Sequence, residues 1–372
     1  MNTKQTNIIF LLHLPPPVHG STLVGELIKK SSAINNKIQG RYINLLLSKK
    51  VDDSGKIKTL KSFRFVKIWF HLLGKLIHRK PDLCYFALTT TGPGLKKDAL
   101  LVLLLRIFNV RTIYHIHNKG VIKEKNNWLN SKLYNFVFKN QKVILLSEHL
   151  YYDVQDFVNN EDVYYCPNGI KDYQSKTEHL KSLEIRPFKI LFFSNLIAEK
   201  GVFVLIDACS ILKERGINFI CDFIGGEADV SELEFNQYVE QKGLSEQVRY
   251  HGKRYGKLKE MTFENADVFV LPSRYDCFPL VVLEAMQHKL PVITAKEGGM
   301  PDMVEDGFNG FLIDRYDDDE ELANKLELLF HDPELRKQMG DNGRTKYINN
   351  FTIGIFENRL LSILNEVINK KQ

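Results

Sequence analysis

The stretch ADVFVLPSRYDCFPLVVLEAM, residues 266–286, determines the fold class expected for this chain. Its apolar first part predicts a strand that ends at Pro272, a polar loop follows, and Pro279 stands where a helix begins. Proline at the first helical position leaves neighbouring amides free to point at whatever lies above the helix end. Such a helix end, at the carboxyl end of a parallel strand, attracts a diphosphate. The stretch therefore predicts an α/β sheet that carries an anion site.

Two carboxylates in the same stretch suit a ligand that bears hydroxyl groups. Glu284 lies one to two turns into the predicted helix, where its carboxylate can accept two hydrogen bonds from a ribose diol. Asp276 lies eight residues earlier, in the loop, where it can accept hydrogen bonds from sugar hydroxyls. Both carboxylates are therefore candidate binding groups beside the predicted anion site.

Short apolar strands alternate with helix-length connections on both sides of this stretch. The alternation predicts parallel sheets covered by helices on both faces, and two such sheets in tandem predict two Rossmann-like lobes. The polar, aperiodic segment 171–187 is the predicted linker, so the lobes are expected at residues 1–182 and 183–350. The predicted strands are 7–12, 83–87, 112–116 and 142–146 in the first lobe and 188–194, 219–224, 248–251, 268–271, 291–294 and 310–312 in the second.

Length and composition fit a chain with two water-soluble domains. The sequence has 372 residues, which is more than one hydrophobic core usually supports, with 44% hydrophobic and 26% charged residues. Its five cysteines have no paired or metal-ligand spacing, which indicates reduced, mostly buried thiols. The longest apolar run is too short for a membrane span, and no stretch is typical of a signal peptide. We therefore expect a cytoplasmic protein that is not integral to a membrane.

The net charge of +6 conceals an asymmetry between the two halves of the chain. Residues 1–180 hold 27 Lys and Arg against 13 Asp and Glu, whereas residues 181–372 hold 24 against 32. The first lobe therefore favours an anionic partner and the second does not. Nucleic acid is not that partner, because the basic residues show no aromatic interleaving and no recognition motif occurs.

Residues 57–80 predict an amphipathic helix with a basic edge. Its apolar stripe consists of Phe63, Val66, Phe70, Leu73 and Ile77, widened by Phe65, Trp69, Leu72 and Leu76. The narrower basic face contains Lys61, Arg64, His71, Lys75 and Arg79. Such a helix is either a crossover packed on the sheet with a solvated edge, or a surface that rests on anionic lipid. The positive charge of the first lobe is the reason to consider lipid.

The chain resembles a known family at these motifs. Two acidic residues separated by seven others, in a strand–loop–helix setting, are typical of the retaining GT-B glycosyltransferases of the GT4 type (glycosyl transferases group 1). Here the first acidic residue is Asp276, where Glu is usual, and the second is Glu284. The paired glycines Gly298 and Gly299 and the turn 306–310 are similar to the motifs that end the donor lobe of that family.

The resemblance implies a fold and a separate substrate for each lobe. The fold is α/β of the GT-B class, with two Rossmann-like doubly wound lobes facing a central cleft. The lobe of residues 1–182 would bind the acceptor, and the lobe of residues 183–350 would bind the nucleotide sugar. The last helix, 353–370, would cross back onto the first lobe.

The resemblance also implies roles for residues of the donor site. Lys200, where a helix starts, is the cation for the β-phosphate, while Glu284 anchors ribose and Asp276 orients the sugar. Asn195 stands where the family often has Arg, so Lys200 would carry more of the leaving-group charge. The alternative is an ordinary solvated lysine. The donor-binding residues implied in this way are Gly20, Asn195, Gly225, Phe278, Pro279, Leu280, Val281, Gly298 and Gly299.

Two further positions in the first lobe match the family. Gly20, in the segment 17–21, corresponds to the glycine-bearing first loop that approaches the donor phosphates. His117 follows a predicted strand, where relatives have a histidine near the reacting sugar. We favour His117 over His115, because strand alternation buries one of the two and presents the other. The alternative for His117 is a satisfied core histidine.

The reaction implied is transfer of a hexosyl unit from a nucleoside diphosphate to a hydroxyl group with retention of configuration. Catalysis would use His117, Lys200, Asp276 and Glu284, with no metal, no other cofactor and no protein nucleophile. The acceptor would be a glycan or a polyprenyl-diphosphate-linked sugar of surface-polysaccharide assembly, and an anionic membrane surface would be a further partner. Two other classes stay open, namely a GT-B epimerase or phosphorylase and a non-catalytic nucleotide-sugar-binding module.

Overall fold

Two parallel six-stranded sheets form the framework of the residues that the structure, a computed structural model, describes: 5–47, 58–173 and 186–370. The chain divides into two compact units, the first made of residues 1–168 and 354–372 and the second of residues 169–353. Every strand pairing within the two sheets is parallel. The α/β class expected from the sequence is therefore observed in both units.

The first unit contains a sheet in the order β2-β1-β3-β4-β5-β6. Its strands are β1 (Thr6–Leu12), β2 (Ile38–Asn44), β3 (Leu83–Leu88), β4 (Thr112–Ile116), β5 (Lys142–Leu145) and β6 (Val163–Tyr165). Its helices include α1 (Gly20–Lys30), α2 (Ser32–Lys37), α3 (Lys58–His78), α4 (Gly92–Ile107), α5 (Val121–Glu124) and α6 (Trp128–Phe138). All residues of β3 and β4 are buried, as expected for central strands of a parallel sheet covered on both faces.

The second unit contains a sheet in the order β12-β11-β10-β7-β8-β9. Its strands are β7 (Phe188–Phe193), β8 (Phe219–Ile224), β9 (Val248–Tyr250), β10 (Val268–Leu271), β11 (Val292–Ala295) and β12 (Gly310–Ile313). Its helices are α7 (Val202–Glu214), α8 (Glu232–Gln241), α9 (Gly256–Asn265), α10 (Leu280–Gln287), α11 (Met300–Met303), α12 (Asp319–His331) and α13 (Pro333–Asn350). The strand order reverses between β7 and β10, and such a switch point is where open α/β sheets bind ligands.

The last helix, α14 (Ile353–Asn369), is counted with the first unit from Gly354 onward. Phe356, Leu360 and Leu364 are fully or almost fully buried among the apolar side chains of β1 and β3. Arg111 Nη1 donates to the carbonyl groups of Val367 and Ile368, at 2.7 and 2.8 Å. Apolar burial and these two hydrogen bonds hold α14 on the first unit.

The boundary between the units lies earlier than the 182/183 position expected from the sequence. The second unit begins at Gly169, because the chain from there onward packs on α13. Tyr347 donates to the carbonyl group of Ile170 at 3.1 Å, and Arg344 forms an ion pair with Asp172 at 2.5 Å. Part of the segment predicted as a linker is therefore structural, and residues 174–185 of it lie outside the described residues.

Helix α3 buries a different face from the one that its longest apolar stripe suggests. Leu72 and Leu76 are buried, and Phe65, Trp69 and Leu73 pack partly against the same core. Phe63, Val66, Phe70 and Ile77 are exposed, with 71% of Phe63 and 60% of Phe70 accessible to solvent. The side chain of Lys61 lies outside the described residues. None of the helices in the described ranges is long and apolar enough to cross a membrane.

Candidate functional site

The loops that follow β7, β8, β10 and β11 meet at the carboxyl edge of the second sheet. The Gly299 N–H donates to the Cys277 carbonyl oxygen at 2.6 Å, which joins the loop after β11 to the loop after β10. Gly298 has φ +54°, and a Cβ atom there would lie 2.3 Å from the Asp276 carbonyl oxygen. Only glycine permits this approach. Gly298 and Gly299 therefore shape the loop that carries Asp276.

Lys200 and Asp276 form an ion pair across the switch point, since Lys200 follows β7 and Asp276 follows β10. The Lys200 ammonium group also lies 3.4 Å from the Tyr275 carbonyl oxygen. Next to it, Gly201 has φ +85°, and a Cβ atom there would lie 2.5 Å from the Pro272 carbonyl oxygen. Glycine at this position lets the chain turn against the β10 loop, which brings Lys200 to Asp276.

Glu284 lies in α10, the helix that follows the Asp276 loop, and it is mostly buried. Its Oε1 atom is 2.7 Å from the Nζ atom of Lys259, which comes from α9. Burial raises the pKa of the Glu284 carboxyl group, and the Lys259 ammonium group opposes that shift. Sequence reasoning did not find Lys259, because no motif links α9 to α10 and only the fold brings the two side chains together.

The start of α10 has the N–H groups that the sequence predicts, with a shift of one residue. Pro279 is the N-cap, and Leu280 is the first helical residue. The N–H groups of Leu280 and Val281 belong to the first turn, where no intrahelical acceptor exists. The Phe278 side chain is 5% exposed and packs against Phe351, with ring centroids 5.9 Å apart. Phe278 therefore contributes to the apolar packing beside the loop.

Asn195 and Gly225 join the loops after β7 and β8. Asn195 Oδ1 accepts a hydrogen bond from the Gly226 N–H at 2.9 Å. Gly225 has φ +156°, and a Cβ atom there would lie 1.8 Å from the Ser194 carbonyl oxygen. The side chain of Lys253, which sequence reasoning also missed, crosses Gly226: its Cε atom is 2.2 Å from where a Cβ atom would stand. A second lysine therefore lies on this edge of the sheet.

In the first unit, the two histidines of the β4 segment have different surroundings. His115 is fully buried, and its Nδ1 atom is 2.5 Å from the Tyr85 hydroxyl group. His117 follows the strand and is partly exposed, and the two imidazole centroids are 4.1 Å apart. Burial lowers the pKa of His117 to about 4, so its imidazole is neutral at pH 7. The side chain of His117 is the more accessible of the two.

The first loop of this unit leads into α1, which begins at Gly20 with His19 as its N-cap. The Thr22 hydroxyl group accepts from the His19 N–H at 2.9 Å, and this contact closes the first turn. Gly20 is exposed, and a Cβ atom there would meet nothing within 4 Å. Glycine is therefore not required for packing at this position in the described part of the chain.

The acidic run at residues 317–319 lies at the start of α12, whose first helical residue is Asp319. Asp318 is the N-cap of α12, and its carboxylate accepts from the Glu321 N–H at 2.8 Å. An aspartate in this role stabilises the helix end.

Comparison with known proteins finds a family model that matches most of the second unit. Residues 175–346 match the family model described as "Glycosyl transferases group 1", which confirms the resemblance predicted from the motifs. Over 185 residues, the chain is 27% identical to alpha-D-kanosaminyltransferase of Streptomyces kanamyceticus, covering 50% of this chain and 47% of that protein. Over 194 residues, it is 27% identical to the capsular polysaccharide biosynthesis glycosyltransferase CapM of Staphylococcus aureus, covering 50% and 48%. The chain thus spans about half the length of these relatives.

Solved structures resemble the chain over almost its whole length. Anabaena HepE in complex with UDP has a TM-score of 0.75 at 18% identity, covering 97% of this chain and 100% of that one. Sucrose-phosphate synthase of Thermosynechococcus elongatus has a TM-score of 0.76 at 17% identity, covering 98% and 99%. At this level of identity the likeness concerns the fold, and it confirms the predicted GT-B class with Rossmann-like units.

Proposed function

We propose that the protein transfers a sugar from a nucleoside diphosphate to a hydroxyl group, because residues 175–346 match the family model described as "Glycosyl transferases group 1". The observation that carries the proposal is the pairing of Lys200 with Asp276 across the β7/β10 switch point, on the loop that leads to Glu284. A cation, the N–H groups of a first helical turn and a carboxylate at one edge of a sheet are the groups that a nucleotide sugar needs.

The diphosphate would lie between Lys200 and the first turn of α10. An ammonium group has three donors, and in this structure Asp276 and the Tyr275 carbonyl group receive two of them. One N–H of Lys200 is therefore left for a phosphate oxygen while Asp276 stays in place. The N–H groups of Leu280 and Val281, at the positive end of the α10 dipole, would also attract the diphosphate. Charge on the departing phosphate would be stabilised where it develops.

The sugar and the nucleoside would be held by the acidic residues and His117. Glu284 would accept from the ribose hydroxyls, and Asp276 would accept from sugar hydroxyls while it shares Lys200. Neutral His117 would form a hydrogen bond with the sugar or the incoming hydroxyl group. We propose retention of configuration, with no protein nucleophile and no metal, and a hexosyl unit as the group transferred.

We propose a lipid-linked or growing surface glycan as the acceptor. The excess of basic over acidic residues in the first 180 residues suits an acceptor that carries a diphosphate. The similarity to a capsular polysaccharide glycosyltransferase supports the same class of acceptor. The polyprenyl chain of such an acceptor would lie in the membrane. The basic first unit would then bind both the diphosphate of the acceptor and the anionic membrane surface.

We further propose that the first unit rests on an anionic membrane surface through α3 and α4. These helices pack side by side on one core. Their outward-facing apolar side chains are Phe63, Val66, Phe70 and Ile77 of α3 and Leu100, Leu103 and Ile107 of α4. Lys67 and His71 are exposed beside the α3 stripe. Apolar side chains next to basic ones are typical of an interfacial surface.

A transfer assay tests the proposed function. The protein would be incubated with UDP-, GDP- and ADP-sugars, each with lipid-linked or soluble sugar acceptors and each without acceptor. We expect one donor to give a glycosylated acceptor, with lipid-linked acceptors preferred. A changed sugar nucleotide without any acceptor would indicate an epimerase instead. Binding of a donor without turnover over a broad acceptor set would indicate a non-catalytic binding module.

A further inference from the structure

The second unit contains an ion pair between Lys259 and Glu284 that the family motifs do not explain. The two side chains are 25% and 19% exposed, and Nζ and Oε1 are 2.7 Å apart. Lys259 lies in the middle of α9, and Glu284 lies past the first turn of α10. This ion pair is mostly shielded from water, so solvent screens it less than it screens an exposed surface pair.

In the described part of the chain, two further titratable groups act on the Glu284 carboxylate, one from each of the same two helices, and the Tyr173 ring stacks on one of them, His288, with centroids 4.9 Å apart. Glu260 of α9 and His288 of α10 both act on its carboxylate. His288 Nδ1 is 2.7 Å from the Glu284 carbonyl oxygen, and His288 Nε2 is 3.1 Å from Glu260 Oε2. The imidazole hydrogen-bonds the main chain of Glu284, whereas Lys259 hydrogen-bonds its carboxylate.

We propose that Lys259 is a positioning residue of the donor site, which holds Oε1 of Glu284 and leaves Oε2 to accept hydrogen bonds from the ribose diol of the nucleotide. This inference rests on the proposed function, because it assigns Glu284 to the ribose. A carboxylate oxygen has two lone pairs, so Oε2 alone can accept from both hydroxyl groups. Fixing one oxygen before the nucleotide arrives lowers the ordering cost of binding.

Lys259 also favours the charged form of Glu284. Burial and Glu260 raise the pKa of the Glu284 carboxyl group, whereas Lys259 and His288 lower it. Without Lys259 the pKa of Glu284 rises further, so the carboxyl group stays protonated up to a higher pH. A protonated carboxyl group is a poorer acceptor for a diol, so nucleotide binding is lost as the pH falls through that raised pKa.

The test is the pH dependence of UDP binding, measured by calorimetry in the wild type and in Lys259→Met. We expect the variant to bind about tenfold more weakly than the wild type near pH 6, with a smaller difference near pH 8. The ratio of the two dissociation constants cancels the titration of the phosphate of UDP. Lys259→Arg should restore binding at both pH values. Should Lys259→Met fail to fold, Lys259→Gln carries the same expectation.

Two controls separate a positioning role from a structural one. Lys257→Met removes an exposed lysine from the same helix and should leave the pH profile unchanged. In the Glu284→Gln background, adding Lys259→Met should change UDP affinity by the same factor near pH 6 and near pH 8, because glutamine does not titrate. The inference is overturned if the wild type binds UDP and the ratio of the dissociation constants of Lys259→Met and the wild type is the same near pH 6 and near pH 8. A wild type that binds none of UDP, GDP and ADP would overturn the proposed function, and this inference with it.

Discussion

Lys200 has a partner before any ligand arrives, and this constrains its role. The Asp276 carboxylate neutralises much of its charge, and both side chains are mostly buried. In the proposed reaction the diphosphate takes the remaining N–H of the same ammonium group, while Asp276 keeps its ion pair with Lys200 and accepts hydrogen bonds from the sugar hydroxyls. Asn195, whose amide oxygen is engaged with the Gly226 N–H, supplies no charge. The account therefore assigns the leaving-group charge chiefly to Lys200.

Replacing Lys200 tests that assignment. We expect Lys200→Ala to lower kcat roughly a hundredfold or more with the preferred donor, because it removes a charge at the position of the leaving group. The measurement is steady-state transfer with the donor and acceptor identified in the product assay. Lys257→Ala, an exposed lysine with the same change in charge, is the matched control. Near-normal turnover in Lys200→Ala would remove Lys200 from the mechanism.

The sequence could predict the motif residues of this site but not the side chains that support them. Asp276, Glu284 and Lys200 occur at fixed positions relative to strand ends, and that local pattern is visible in one sequence. Lys259 and Lys253 lie in or before α9 at positions that no local rule distinguishes from a solvated surface. Their contacts with Glu284 and Gly226 arise from the packing of α9 and of the β9 loop.

At the scale of elements, the loops after β7 and β8 meet because one glycine lacks a side chain. Gly225 combines φ +156° with a Cβ position 1.8 Å from the Ser194 carbonyl oxygen. The clash involves main-chain atoms, so a side chain there cannot be accommodated by a rotamer change. The loop that holds Asn195 therefore depends on this glycine.

We expect Gly225→Ala to destabilise the protein by about 2 kcal/mol or more, because it adds a steric clash to an unfavourable φ. Gly20→Ala is the control, since a Cβ atom at Gly20 meets nothing within 4 Å. Urea denaturation of both variants measures the effect. Equal stability of Gly225→Ala and Gly20→Ala would contradict the account of this loop.

Helix α3 shows why periodicity alone does not identify a buried face. Two apolar stripes run along it, and the one with Leu72 and Leu76 is buried, whereas the one with Phe63 and Phe70 faces solvent. Sequence periodicity gives the spacing of apolar residues, but the neighbouring elements decide which stripe they cover. The exposed stripe remains for a partner, and the proposal assigns it to lipid.

Co-sedimentation with vesicles tests the lipid proposal. We expect the wild type to bind vesicles that contain phosphatidylglycerol and to bind phosphatidylcholine vesicles less. Phe63→Ser combined with Phe70→Ser should reduce binding about tenfold or more, because each buried phenylalanine contributes roughly 1.5–3 kcal/mol. Leu233→Ser, an equally exposed apolar position in the second unit, should have no effect. Binding that is insensitive to anionic lipid and to the phenylalanines would refute the proposal.

At the scale of the molecule, strand–helix alternation was sufficient to predict two Rossmann-like units, whereas their boundary required the structure. Gly169 begins the second unit because Ile170 and Asp172 are held by α13, which is more than 160 residues later in the chain. Contacts over such distances leave no local trace in a polar segment. The uneven charge of the two halves, in contrast, is visible in the sequence and agrees with the separate tasks proposed for them.

The central claim is that the carboxyl edge of the second sheet holds a nucleoside diphosphate. A crystal structure of the protein with the nucleoside diphosphate of its preferred donor tests this most directly. We expect a phosphate oxygen within hydrogen-bond distance of Lys200 Nζ and ribose hydroxyl groups at Glu284 Oε2, with Lys259 still on Oε1. An ordered nucleotide that touches neither Lys200 nor Glu284 would contradict it.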